Sequence, residues 1–278
     1  GAVAARIRAV DGFDLEHGTY ETPRRAISAF ARCCPSLSFY GRFVAVVTSC
    51  SNMAKRDVYD DERWEASSHL TRRSLEQAGV RIRAEGLDHV RDLQGPAVFV
   101  GNHMSMLETV VLPGFIRPFR PVTYVVKDFL VQVPVFKHIM ISRDPIVVTR
   151  TDPRADLKTM MEGGMRRLAD GISIIVFPQT TRTLRFDRRE FNSIGVKLAK
   201  KAGVPVVPVA LRTDAWGLSK RFVKDFGRIE PSKEARFAFG EPMTVTGRGA
   251  EQHERCVTFI EEHLEAWGLP PVRSEAVQ

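Results

Sequence analysis

One run of the chain sets a proton acceptor near a carboxylate: Phe99-Val100-Gly101-Asn102-His103-Met104-Ser105-Met106-Leu107-Glu108. An apolar stretch ends at Gly101, a histidine follows, and a carboxylate comes five residues after the histidine. Imidazole titrates near neutrality, so His103 could take a proton from an alcohol at physiological pH. Glu108 could accept the other ring N–H, fix the tautomer and stabilise the imidazolium that forms. A strand-end histidine bonded to main chain fits the same letters. The other six histidines, His17, His69, His89, His138, His253 and His263, lack this spacing and read as surface or satisfied polar residues.

Three further blocks could hold a ligand. In Ile174-Ile175-Val176-Phe177-Pro178-Gln179-Thr180-Thr181-Arg182-Thr183 an apolar run stops at a proline and gives way to hydroxyls and an arginine. Backbone amides, threonine hydroxyls and a guanidinium suit a phosphate. A plain loop with one surface arginine fits as well. Ile141-Ser142-Arg143 puts a second arginine just past a short strand, as an anion clamp or a solvated strand terminus. Val204-Pro205-Val206-Val207-Pro208-Val209-Ala210-Leu211 carries two prolines, which argues for an edge strand or a wall beside a site. No serine or cysteine lies in a nucleophile motif, because Ser105 sits in N-H-M-S-M-L and not in G-x-S-x-G. His103 has no second histidine or cysteine at ligand spacing, so no metal is expected.

These residues need a scaffold of alternating strands and helices. Strands are predicted at Val80–Arg83, Ala97–Val100, Thr123–Val126, Ile139–Ser142, Ile172–Phe177, Val204–Leu211 and Arg236–Phe239. Helices are predicted over about Asp60–Ala78, stopped by Gly79; Pro153–Ala169, capped by Asp152; Ser193–Ala202, capped by Ser193 and stopped by Gly203; and Glu251–Trp267. Near-continuous apolar strands fit a sheet covered on both faces. The pattern predicts an α/β fold: a layered αβα domain with a mixed, largely parallel central sheet, preceded by N-terminal helices.

The division expected is 1–79, a helical and membrane-interfacial segment, and 80–278, the α/β domain. Between Thr22 and Arg56 stand six basic residues and no acidic one, with Phe30, Phe39, Tyr40 and Phe43 among them. Pro35 and Gly41 are expected to break this stretch into two short helices. Such a stretch can lie in the headgroups of an anionic bilayer, or pack on a core with solvated arginines. The most apolar segment, Phe43–Ala54, is too short and too polar to span a bilayer. The N-terminus carries no secretory pattern of a basic region and apolar run.

Composition sets outer bounds. Of 278 residues 44% are hydrophobic and 27% charged, which excludes a disordered or fibrous chain. There are 41 Lys+Arg against 33 Asp+Glu, a net charge of +8 that favours anionic partners. Four cysteines without C-x-x-C spacing fit a reducing compartment.

In order and separation, the four blocks resemble the lysophospholipid acyltransferase superfamily, best known for 1-acylglycerol-3-phosphate acyltransferases. That family carries N-H-x-S-x-x-D, a short block ending in Arg, F-P-E-G-T-R-S and V-P-x-x-P-V. Here they read N-H-M-S-M-L-E, I-S-R, F-P-Q-T-T-R-T and V-P-V-V-P-V-A, within a likeness from about Val80 to Gly240. The resemblance implies His103 as general base and Glu108 in place of the usual Asp. It implies Asn102, Ser105, Arg143, Pro178, Gln179, Thr180, Thr181 and Arg182 as substrate-binding residues, with Asn102 and Ser105 shaping the turn and Arg143 and Arg182 on an acceptor phosphate. Gln179 replaces the family's Glu, Thr180 its Gly, and no lysine follows the third block until Lys197. These departures lie on the acceptor side.

The implied activity is O-acyl transfer from acyl-CoA or acyl carrier protein, as co-substrate, to a lysophospholipid hydroxyl. No cofactor and no covalent acyl-enzyme are expected. The expected partner is a phospholipid membrane surface, with the protein cytoplasmic and peripheral on the inner face of the cell membrane. The alternatives are a phospholipid-binding or remodelling module without acyl transfer, and an acyl-thioester hydrolase. Nucleic-acid binding is not expected, since the basic residues form no recognisable binding motif.

Overall fold

The computed structural model describes residues 12–128, 132, 134–149, 151–179, 181–219 and 225–272. Among these, nine strands are β1 (Phe13–Asp14), β2 (Thr19–Glu21), β3 (Ile82–Glu85), β4 (Val98–Gly101), β5 (Val122–Lys127), β6 (Ile146–Val148), β7 (Ser173–Val176), β8 (Val206–Arg212) and β9 (Ala235–Phe239). They form one sheet in the order β1-β2-β3-β9-β8-β4-β7-β5-β6. The pairs β3–β9, β8–β4, β4–β7, β7–β5 and β5–β6 are parallel, and β1–β2, β2–β3 and β8–β9 antiparallel. This is the mixed, largely parallel sheet that the residue pattern predicts.

The side-chain period of two divides the central strands between two cores. Phe99, Ile175 and Val207 are in register and face α2 (Pro35–Lys55), α3 (Asp61–Gln77) and α5 (Met106–Ile116). Val98, Val100, Ile174, Val176 and Val206 face the other way, onto α7 (Pro153–Ala169), α8 (Ile194–Ala202) and α9 (Ala250–Ala266). In α9, Cys256, Val257, Ile260 and Leu264 recur at helical spacing and fill that face. Three short helices complete the set: α1 (Ala29–Cys33), α4 (Leu87–Arg91) and α6 (Pro134–Ile141).

The caps follow local chemistry. Asp152 accepts from the amides of Arg154 and Ala155, with Pro153 at the first helical position of α7. Ser193 sits at the start of α8 but makes no side-chain cap; Asn192 Oδ1 instead accepts from Ile194 N at 3.0 Å. Gly203 ends that helix at φ +67°, a conformation that favours glycine.

Three expectations are corrected. Ile139–Ser142 is no strand: it is the end of α6 and the turn after it, and the edge strand is β6. A short apolar run reads equally as either, and here Phe136, Ile139 and Met140 pack on the core beside α2. Gly41 does not break the N-terminal stretch, which runs as one helix from Pro35 to Lys55. Burial of Phe39, Phe43 and Cys50 outweighs about 1 kcal/mol of glycine penalty. Phe13–Asp14 and Thr19–Glu21, in the part expected to be helical, are strands that extend the sheet beside β3. They are too short to show a period.

Space around Gly41 is open, so Gly41→Ala introduces no clash. The substitution is expected to stabilise the protein by about 0.5–1 kcal/mol, read as a raised urea midpoint at unchanged m-value.

Candidate active site

All four residues of β4 are buried, and the strand ends where its backbone touches β8: a Cβ on Gly101 would lie 3.0 Å from Val209 O. Asn102 then closes the gap between the strands. Its Nδ2 donates to Leu211 O at 2.7 Å, and its Oδ1 accepts from Leu211 N at 2.8 Å. The next side chain, His103, lines a cavity of about 560 Å³ at the carboxyl ends of β4, β5 and β7. That is where parallel α/β sheets hold ligands.

Helix α5 starts immediately afterwards, and its start holds the catalytic candidates together. Ser105 is the N-cap and Glu108 lies at the third helical position, so the two form a capping box. Ser105 Oγ accepts from Leu107 N, and Glu108 Oε1 accepts from Ser105 N at 2.9 Å and Met104 N at 2.6 Å. Ser105 Oγ also lies 3.1 Å from Glu108 Oε2 and 2.9 Å from Thr213 O, with one proton to give. The extra methylene of Glu lets the carboxylate reach back to the cap amide, which is a reason for Glu here.

The same carboxylate meets His103, with Nδ1 at 2.9 Å from Oε1. Thr213 Oγ1 donates to Oε2 at 2.5 Å. Glu108 is fully buried. Burial alone would push its carboxyl up, but the hydrogen bond and charge of His103, with Thr213 and Ser105, outweigh it and hold the group below its ordinary range. An ionised carboxylate only accepts, so Nδ1 carries the proton and Nε2 is the basic nitrogen. The ring is stacked on Phe177, with centroids 4.3 Å apart and planes at 5°, which sets its plane.

The third sequence block clasps the histidine from the main chain. Gln179 Oε1 accepts from His103 N at 2.7 Å, and Thr183 N donates to His103 O at 3.0 Å. Gln179 is 1% exposed, so a neutral amide makes a bond that needs an acceptor and no charge. Pro178 O accepts from Asn192 Nδ2. Arg182 pairs with Asp225, NH1 to Oδ1, at 2.5 Å.

The structure sorts the sequence candidates into two groups. His103, Pro178, Gln179, Thr181 and Arg182 line one cavity. Asn102 and Ser105 do not line it; both are buried with their polar atoms spent on main chain and on Glu108, so they shape the turn. Arg143 points elsewhere. It binds Asp61 Oδ1 at 2.7 Å and the Tyr59 carbonyl, and lies over Tyr59 and Trp64. Asp61 also holds Arg117, so this cluster ties α3 to the end of α5. Thr180 lies outside the described residues. Sequence reasoning missed Thr213, Lys127 and Asp225. Thr213 directly follows β8, and Lys127 is the last residue of β5, positions that a strand-end rule points to. No local signal marks Asp225.

Thr213 touches Glu108 and not the cavity, so it acts as a positioning residue. Thr213→Val is expected to lower kcat about tenfold with little change in KM, and Thr213→Ser to restore it, as for loss of one bond to a charged group. A group held below its ordinary pKa adds stability above its unfolded pKa, and that stability is lost as pH falls through the folded value. The stability gap between wild type and Glu108→Gln, measured by urea unfolding, is therefore expected in full at pH 7 and to narrow as pH drops below about 4.3. A gap unchanged at pH 3 would contradict an ionised Glu108.

Residues 81–212 match the Acyltransferase family. The 1-acyl-sn-glycerol-3-phosphate acyltransferase of Pseudomonas aeruginosa is 30% identical over 190 residues, 68% of each chain. That of Borreliella burgdorferi is 27% identical over 139 residues, covering 50% of this chain and 54% of that one. The crystal structure of the 1-acyl-sn-glycerophosphate acyltransferase PlsC from Thermotoga maritima superposes with a TM-score of 0.66 at 16% identity, over 86% of this chain and 97% of that one. This last likeness is one of fold. With the histidine backed by its buried carboxylate, Phe177, Pro178, Gln179, Thr181 and Arg182 beside it at one cavity, and the match to the Pseudomonas enzyme along most of both chains, the chain belongs to the lysophospholipid acyltransferase superfamily.

Proposed function

We propose that the protein is an O-acyltransferase that moves a fatty acyl group from a thioester, acyl-CoA or acyl carrier protein, to the hydroxyl of a lysophospholipid such as 1-acyl-glycerol 3-phosphate. The observation that carries this reading is the His103–Glu108 pair at the cavity. In the reaction, His103 Nε2 takes the proton of the acceptor hydroxyl as that oxygen attacks the thioester carbonyl carbon. The tetrahedral intermediate collapses, the carbon–sulfur bond breaks, and the imidazolium returns its proton to the departing thiolate. Glu108 keeps the proton on Nδ1 and balances the transient charge.

The cavity suits both halves of such a reaction. Val126, Val148, Leu157, Met160 and Ile194 make an apolar wall fit for an alkyl chain. Arg182, Lys127 and Thr181 offer cations and a hydroxyl for a phosphate.

The same reading puts the protein on the inner face of the cell membrane. On α1 and α2, Phe30, Leu37 and Val44 are 55–64% exposed, and Arg32, Arg42 and Lys55 of the same two helices are exposed as well. Apolar side chains among cations suit an anionic headgroup layer. Among the described residues no helix is long and apolar enough to cross a membrane.

The test is release of free thiol from a C16 acyl-CoA, with and without 1-acylglycerol 3-phosphate. Release that needs the acceptor, and falls about 10²–10⁴-fold in His103→Ala, is the expected result. Release without acceptor would make the protein a hydrolase. No release from acyl-CoA or from acyl carrier protein would leave a lipid-binding module.

A further inference from the structure

Arg182 is not presented to the cavity as a lone cation. Its NH1 lies 2.5 Å from Asp225 Oδ1, and both side chains are largely buried, at 13% and 24% exposure. Both line the cavity of His103. The other charged side chains on that wall are Lys127 and Asp156, so among the described residues two cations face two carboxylates across the cavity. A phosphate that reaches Arg182 therefore meets a carboxylate already there. At such distances and under partial burial, like charges repel with little screening.

We propose that Asp225 sets the affinity for an anionic acceptor: it pairs with Arg182 and is displaced from it by the acceptor's phosphate. The inference rests on the acyltransfer reading and assigns that acceptor an anionic headgroup. The pair keeps Arg182 folded into the cavity, so the guanidinium is placed before the acceptor arrives. It also sets a threshold. An acceptor without an anion leaves the pair closed and gains nothing from Arg182. A phosphate brings more charge than a carboxylate and can take the guanidinium fork through two oxygens, so it wins the exchange. Gln179 is neutral and bound to main chain, and among the described residues the carboxylate paired with Arg182 is that of Asp225.

The test compares wild type with Asp225→Asn and Asp225→Ala on two acceptors that differ only in the phosphate, 1-acylglycerol 3-phosphate and monoacylglycerol. In both variants KM for the phosphate acceptor is expected to fall about three- to tenfold, while KM for monoacylglycerol moves less than about twofold. Equal changes for both acceptors, or a higher KM for the phosphate one, would overturn the proposal. So would loss of folding in both variants, since the pair would then be a structural tie. Equilibrium binding of 1-acylglycerol 3-phosphate without donor separates the two readings. Tighter binding by the variants with no transfer by any form would sink acyltransfer and keep the exchange. Transfer by wild type with unaltered binding in the variants would sink the exchange alone.

Discussion

A single carboxylate with no exposure to water organises this protein. A buried charge costs far more than a surface one unless its oxygens are fully hydrogen-bonded. Glu108 meets that demand with donors from three places: the imidazole of His103, the amides and hydroxyl at the start of α5, and the hydroxyl of Thr213 beyond β8. The turn, the helix and the strand end cannot shift independently without leaving that charge short of partners. The histidine is thereby held by the same contacts that begin the helix.

Helix α5 itself needs help from its neighbours. Pro113 lies in its interior and has no amide to offer the carbonyl of Thr109. Tyr124 supplies the missing donor, its hydroxyl 3.1 Å from Thr109 O. Burial, with the charge of Glu108 adding to it, raises the Tyr124 phenol well above its ordinary range, so it stays a donor. Ser68 of α3 inserts its hydroxyl one residue on, accepting from Gly114 N at 2.9 Å and donating to Val110 O at 2.7 Å. The base of the site thus rests on a helix braced from β5 and from α3.

The sequence was legible where chemistry and period agree. The apolar runs of β4, β7 and β8 and the caps of α7 needed no tertiary information. His103 and Glu108 stood out through the order of the four blocks, since the pair alone reads equally as a strand-end histidine bonded to main chain. The direction of polar side chains was not legible. Asn102 and Ser105 belong to the same block as His103, yet their atoms are used on Leu211 and on the cap, because a buried strand end leaves amides and carbonyls that must be paired. Arg143 looked like a clamp, but its partner Asp61 is 82 residues earlier, beyond any local rule. Asp225 was invisible for the same reason.

The stack of His103 on Phe177 fixes more than a ring plane. In the proposed reaction the imidazole becomes a cation for part of each cycle. At that moment the ring has a carboxylate at its edge and the electron-rich face of an arene 4.3 Å away. The aromatic quadrupole attracts a cation and is nearly indifferent to the neutral ring. Phe177 therefore contributes a stabilisation that switches on with the charge, selective for the intermediate rather than for the resting site, and built from a residue with no polar atom in its side chain.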